Sequence, residues 1–193
     1  MTVMTNASSR PPRHRGFTLI ELLTTMAVAI VIIGFAVPSM TTFVKNQRLL
    51  TAADSLNMSL AKARTIAAAS NSYVTVAPID GDWKNGWRLF NEHATPNGQY
   101  EAANDTLIAV YDALPADIAY QYDATNGYGY ISFSPIGYSQ SADKAQMAMA
   151  IMFTLGSAQR LVEVSLLGRS RVCTPDPKDT NGYCAMPNIS SAS

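Results

Sequence analysis

RHRGFTLIELLTTMAVAIVIIGFAVPSM, residues 13–40, sets the architecture of this chain. It begins with basic residues, turns apolar at Phe17 and stays so to Val37, 21 residues interrupted by one ionisable side chain, Glu21. A helix of about 20 apolar residues crosses a hydrocarbon layer about 30 Å thick, so residues 17–40 are expected to form a membrane-spanning helix. A carboxylate at the bilayer centre costs about 2.5–3.5 kcal/mol on insertion scales. Glu21 therefore needs a reason: either it sits close enough to the headgroups to be cheap, or something pairs with it.

Arg10, Arg13 and Arg15 precede the run, and residues 1–16 contain no Asp or Glu. This basic leader predicts a cytoplasmic N-terminus and a translocated polar remainder, a single pass through the membrane. A secretory signal has a shorter apolar region followed by its cleavage site. Here Gly16 stands before the apolar run, so a cut there leaves the helix on the mature protein.

The 193 residues, 48% apolar and 15% charged, suit one domain plus a hydrophobic segment. The chain carries 14 basic and 14 acidic residues; without the three leader arginines, 11 basic residues face 14 acidic ones. Binding a polyanion would then require a local basic site, not a generally cationic surface. The only two cysteines, Cys173 and Cys184, lie on the translocated side, where a disulfide persists.

Beyond the span, Leu49, Ala53, Leu56, Leu60, Ala63 and Ala67 recur at spacings of four and three, one apolar face of a helix. Residues 41–72 thus continue the same helix, roughly 80 Å from Phe17 to about Ala69 at 1.5 Å per residue. Pro38 is expected to kink or loosen it, and SNS at 70–72 to end it. Strand-like runs follow: YVTVAP (73–78), GWRLF (86–90), TLIAVYDA (106–113), GYISFSP (129–135), AMAIMFTL (148–155) and RLVEVSLLG (160–168). DGDWKNG, TPNGQ and ATNGYG between them are turn-rich, which predicts an antiparallel sheet over residues 73–172 with the helix packed on one face. The fold class is α+β. Residues 173–193 read as a loop pinned by the disulfide, then a loose end.

Little here suggests an enzyme. Outside the leader the one histidine, His93, lies in a polar segment without a second His or a Cys nearby. No nucleophile elbow, phosphate-binding glycine loop or calcium loop is present, and no cofactor or metal is expected. NEHATPNGQYEAANDT (91–106) reads as a solvated connection. Trp83 and Trp87 read as core or sheet-face aromatics.

RGFTLIELLTTMAVAIVIIGFAVPSM resembles the signal of type IV prepilins and pseudopilins: basic leader, Gly, Phe, a Glu four positions on, then an apolar helix. The resemblance implies that a prepilin peptidase cuts between Gly16 and Phe17, leaving 1–16 as a discarded leader, and methylates the Phe17 amine. Glu21 would then pair with the positive N-terminus of a neighbouring subunit, and only the correct axial offset pairs it. Implied partners are minor and major pilins, the peptidase and the inner-membrane assembly platform; the C-terminal domain would lie in the periplasm before joining a pilus.

DWKNGWRLF (82–90) and ISFSPIGYS (131–139) are similar to signature segments of the FimT/GspH family of minor pilins and pseudopilins. LLGRSRVC (166–173) resembles the Gly-Arg-x-Arg motif of the FimT branch, which implies binding of double-stranded DNA during uptake in natural transformation. In an extended segment Arg169 and Arg171 point to one side, about 6.6 Å apart by strand rise, near the phosphate repeat. Gly168 lets the chain turn out of the preceding strand, a disulfide at Cys173 and Cys184 would restrain the pair, and Lys178 offers a third contact, flanked by Asp176 and Asp179. Two other readings stand beside this one: a structural minor pilin or type II secretion pseudopilin that initiates or caps a filament, and an unassembled membrane-anchored binding protein, uncut after Gly16 and indifferent to Glu21.

Overall fold

Helix α1, Leu19–Ser70, starts where Thr18 caps it: the Glu21 N–H donates to Thr18 Oγ1 at 3.3 Å, and the Leu22 N–H reaches the Thr18 carbonyl at 3.2 Å. Thr18 and Glu21 have the spacing of a capping box, and the carboxylate in the first turn complements the helix dipole. Part of the reason for Glu21 is thus local. The computed structural model describes residues 16–92, 95–176 and 184, the side chains of 35–39 and 126 excepted. His93 and Lys178 lie outside the described residues.

The chain divides into two units, Met1–Thr42 and Phe43–Ser193. In the first, Leu19, Ile20, Leu22, Leu23, Met26, Ile30, Val31, Ile32 and Ile33 are all more than half exposed. Consecutive positions point in all directions around a helix, so this segment is apolar all round. Among the described residues no helix is long and apolar enough to cross a membrane; the expected span also counts Phe35, Ala36 and Val37, whose side chains are not described. Helix assignment continues without a break through Pro38.

In the second unit the expected stripe is the buried one: Leu49, Ala53, Leu56, Leu60, Ala63 and Ala67 are all at 2% exposure or less. Ser59 is buried beside them, its hydroxyl donating to the Leu56 carbonyl (2.7 Å) and accepting the Trp87 indole N–H (2.9 Å). The helix stops at Asn71, which takes φ +50, while the Ser72 N–H returns to the Ala67 carbonyl at 3.2 Å. Asn accepts this left-handed C-terminal geometry better than most residues do.

The strands form two antiparallel sheets. One has the order β3 (Thr106–Tyr111), β2 (Asp82–Glu92), β1 (Tyr73–Ile79), β5 (Ile131–Phe133), β6 (Ser139–Gln140). The other has β4 (Ala119–Ala124), β7 (Met149–Leu155), β8 (Ala158–Val164), β9 (Ser170–Cys173). The single sheet expected from the sequence is thus corrected to two. Strands lie about 4.8 Å apart and a helix is about 10–12 Å across, so one helix cannot cover side by side the nine strands found among the described residues. Two smaller sheets instead join α1 in one core: Val74, Val76, Leu89, Ile131 and Phe133 from the first, Met149, Ile151, Phe153, Val162 and Val164 from the second.

DGDWKNG, read as a turn, contributes only Asp80–Gly81 to the turn; β2 begins at Asp82 and buries Trp83. Both turn residues have positive φ, as a two-residue hairpin demands. Trp83 and Trp87 are core residues, as expected, with Trp87 stacked on Tyr111 at 5.3 Å between centroids. Cys173 and Cys184 are disulfide-bonded, and Cys184 packs on Met152 and Leu161 over the face of the second sheet opposite the core.

Candidate functional site

The Gly-Arg-Ser-Arg segment closes the hairpin between β8 and β9. Ser165 organises it: its N–H donates to the Arg169 carbonyl (2.9 Å), its carbonyl accepts from the Gly168 N–H (2.8 Å), and its hydroxyl oxygen accepts from the Arg169 N–H (3.2 Å). Gly168 has φ +73, and a Cβ there would meet the Gly137 carbonyl oxygen at 2.3 Å. The glycine is therefore required twice, by its backbone angle and by a neighbouring turn.

That neighbour is the Ser134–Tyr138 turn, inside the second family-like segment of the sequence. The Ser139 hydroxyl is shared between the Met147 (2.6 Å) and Ser165 (2.9 Å) carbonyls, tying β6 to the hairpin. From α1, Arg64 Nε donates to the Gly137 carbonyl at 2.9 Å. Three distant stretches of sequence thus meet at one carbonyl. Ile136, Tyr138, Leu166 and Leu167 are exposed on the two turns.

Arg169 and Arg171 are both exposed and line one cleft of about 630 Å³ on the second sheet, together with Asp123, Ala150 and Glu163. Strand register puts Asp123, Ala150, Glu163 and Arg171 in a single row across β4, β7, β8 and β9. Arg171 is committed within that row: its Nε donates to Glu163 Oε2 at 2.6 Å, and Nη2 lies 2.5 Å from the same oxygen. Arg169 has no carboxylate partner among the described residues. The cleft is consequently mixed in sign, and Arg169 is a cation on it without a carboxylate partner among the described residues. Lys178, the expected third contact, lies outside the described residues; the Asp176 N–H beside it donates to the Cys184 carbonyl at 3.3 Å.

At the other end of the chain Gly16 and Phe17 are exposed, and a Cβ at residue 16 would meet nothing within 4 Å. Glu21 is exposed and has no ion pair among the described residues.

A second cleft, about 390 Å³, lies on the first sheet and is lined by Arg88, Phe90, Gln99, Tyr100 and Tyr130. Here the expected solvated connection is in part anchored. Buried Glu92 accepts the N–H groups of Asn97 (2.9 Å) and Gly98 (3.1 Å) and the Thr75 hydroxyl, while the Tyr130 hydroxyl donates to the Pro96 carbonyl at 3.1 Å. Burial raises the Glu92 pKa against the lowering effect of these donors. Among the described residues no group of three or more His, Cys, Asp or Glu could hold a metal ion.

Sequence reasoning missed Glu163, Asp123 and Arg64. Glu163 was accessible in principle, because a hairpin centred on Leu167 places residues 163 and 171 opposite each other. Asp123 and Arg64 depend on long-range pairing that no local pattern encodes.

The sequence profile of the family described as Type II transport protein GspH matches residues 52–168, and that of the Prokaryotic N-terminal methylation motif matches residues 11–37. No curated protein matches the chain. Among solved structures, the type IV minor pilin FimU of Pseudomonas aeruginosa is similar, with TM-score 0.52 and 18% identity over 74% of this chain and 98% of that one. The minor pseudopilin EpsH from the Type 2 Secretion System of Vibrio cholerae has TM-score 0.44 and 14% identity, over 66% and 97%. At 18% identity the likeness to FimU concerns the fold.

Proposed function

Since the chain belongs to the GspH family of type II transport proteins and carries the N-terminal methylation motif, we propose that it is a DNA-binding minor pilin of the FimT branch. At its coarsest, the chain is a minor pilin or pseudopilin of a type IV pilus or a type II secretion system, membrane-anchored for assembly. The finer reading rests on one observation: Arg169 stands exposed on a hairpin whose shape Gly168 dictates, beside Arg171 on the same cleft. Backbone phosphates are the chemistry such guanidinium groups recognise, without base readout.

Two or three phosphate contacts give a log-log salt slope of about −2 to −3 and little sequence preference. Useful capture of double-stranded DNA for transformation then comes from several subunits acting together on one fibre. Before that, prepilin peptidase cuts between Gly16 and Phe17 and methylates the Phe17 amine. The helix at 17–40 holds the subunit in the inner membrane with its sheets in the periplasm. The assembly platform then adds it to neighbouring pilins, Glu21 pairing with the positive N-terminus of one of them.

The test is fluorescence anisotropy of a short labelled duplex with full-length protein in neutral detergent. Wild type is expected to bind at low salt, and Arg169→Ala with Arg171→Ala to abolish most of that binding; equal affinity for both would overturn the site. One observation favours the structural reading, a pilin or pseudopilin that touches no nucleic acid. Glu163 occupies Arg171 and Asp123 shares its row, which places two carboxylates on the cleft. Wild type that ignores duplex in dilute buffer would decide for it.

A further inference from the structure

We propose that Arg64 of α1 contacts phosphate in the same nucleic-acid site, so that the cationic pole lies across the seam between the two turns and not along β9. This rests on the DNA-binding reading above. Three observations carry it.

The first is position. A Cβ at residue 168 would sit 2.3 Å from the very oxygen, Gly137 O, that Arg64 Nε reaches at 2.9 Å. The Arg64 guanidinium is therefore two contacts from the residue preceding Arg169.

The second is charge. Arg171 is neutralised by Glu163, whereas neither Arg64 nor Arg169 has a carboxylate partner among the described residues. The segments that meet at the seam carry no acid at all: none occurs at 55–70 of α1, at 131–142 around the first turn, or at 164–175 around the second. The cleft on the second sheet, by contrast, is lined by Asp123 and Glu163. A phosphate approaching this edge of the domain is repelled from the middle of the cleft and met by unopposed guanidinium groups at the seam.

The third is geometry. Arg64 is half-buried, and its Nε bond to Gly137 fixes the plane of the fork. The remaining N–H groups have no acceptor among the described residues. A fork held at one nitrogen loses little freedom when its terminal N–H groups take a phosphate oxygen.

The experiment compares Arg64→Gln, Arg64→Lys and Arg169→Ala with wild type. Full-length protein in neutral detergent is titrated into a labelled duplex across a salt series, with thermal midpoints recorded for each variant. Both Arg64 variants lose the Nε bond, so a purely structural role affects them alike. A phosphate contact separates them: Arg64→Gln is expected to make the salt slope less negative by about 0.9, as Arg169→Ala does, and Arg64→Lys to keep the wild-type slope. Equal slopes for wild type and Arg64→Gln, with a reduced slope for Arg169→Ala, would overturn this proposal and leave the DNA-binding reading intact. Indistinguishable slopes for Arg64→Gln and Arg64→Lys would also overturn it. Failure of wild type to bind any duplex would overturn both.

Discussion

Replacing Glu163 by Gln is expected to tighten DNA binding, which is the reverse of what most substitutions beside a binding site do. In the resting domain Arg171 and Glu163 are cross-strand partners, with Nη2 to Oε2 at 2.5 Å and side chains 44% and 21% exposed. A solvent-facing pair of this kind contributes about 0–1 kcal/mol to folding, so the variant should melt close to wild type. Its effect on a polyanion is larger. A carboxylate about 4 Å from a phosphate repels it by about 1 kcal/mol in water and by about 4 kcal/mol at an effective dielectric of 20. The cleft is open to solvent, so the lower figure applies, and about 1 kcal/mol corresponds to roughly fivefold in affinity. The effect expected is loss of repulsion and not a new contact, so the salt slope should stay close to that of wild type. Anisotropy titrations of a short duplex across a salt series read both quantities. Combining Glu163→Gln with Arg171→Ala in a double-mutant cycle shows how far the gain depends on Arg171. A Glu163→Gln protein that binds no tighter than wild type at low salt would refute the claim that this carboxylate restrains the site.

Three further outcomes are expected. Gly168→Ala forces a Cβ into the left-handed region and onto the Gly137 carbonyl oxygen; it should cost about 2 kcal/mol or more, a fall of about 4–8 °C in thermal midpoint by calorimetry for a chain of this size. Glu92 has a raised pKa in the folded state because it is buried, so the folded chain holds that proton more tightly than the unfolded one. Its contribution is fully present below the unfolded value and is lost as pH rises through the folded one. Glu92→Gln, which keeps an acceptor for the Asn97 and Gly98 N–H groups, should therefore gain on wild type in thermal midpoint as pH rises through that window and hold a constant difference above it. Gly16→Ala should block maturation, read by intact-protein mass spectrometry of cells expressing the full chain; the same processed mass as wild type would count against the cleavage site.

The helix was the most legible element, because its signal is local and repeated: six apolar positions at spacings of four and three all proved buried. The strands rich in β-branched and aromatic residues were legible for the same reason. β4, AYQYDA, was not; it lies at a sheet edge and half of it faces solvent, so it lacks the apolar run that marks a central strand. The extended reading of the motif holds for Arg171 in β9, but Arg169 lies in the turn before the strand, held there by Ser165, which the local pattern did not mark. The division into two sheets is likewise unmarked, because whether consecutive strands extend one sheet or start another depends on what covers their faces. At the site, the sequence pointed to Gly168, Arg169 and Arg171 but treated the two arginines as equivalent. Among the described residues, the carboxylate of Glu163 on the neighbouring strand pairs with Arg171 and not with Arg169.

The Gly137 carbonyl, approached from one side by a helix arginine and from the other by Gly168, limits how portable the hairpin is. Six residues copied onto a foreign scaffold would bring the guanidinium groups without the surface that dictates their pose. In a relative, a bulkier residue at the position of Gly168 should be found only together with a shortened or withdrawn facing turn. Engineering this specificity elsewhere means transplanting three discontinuous pieces as one unit.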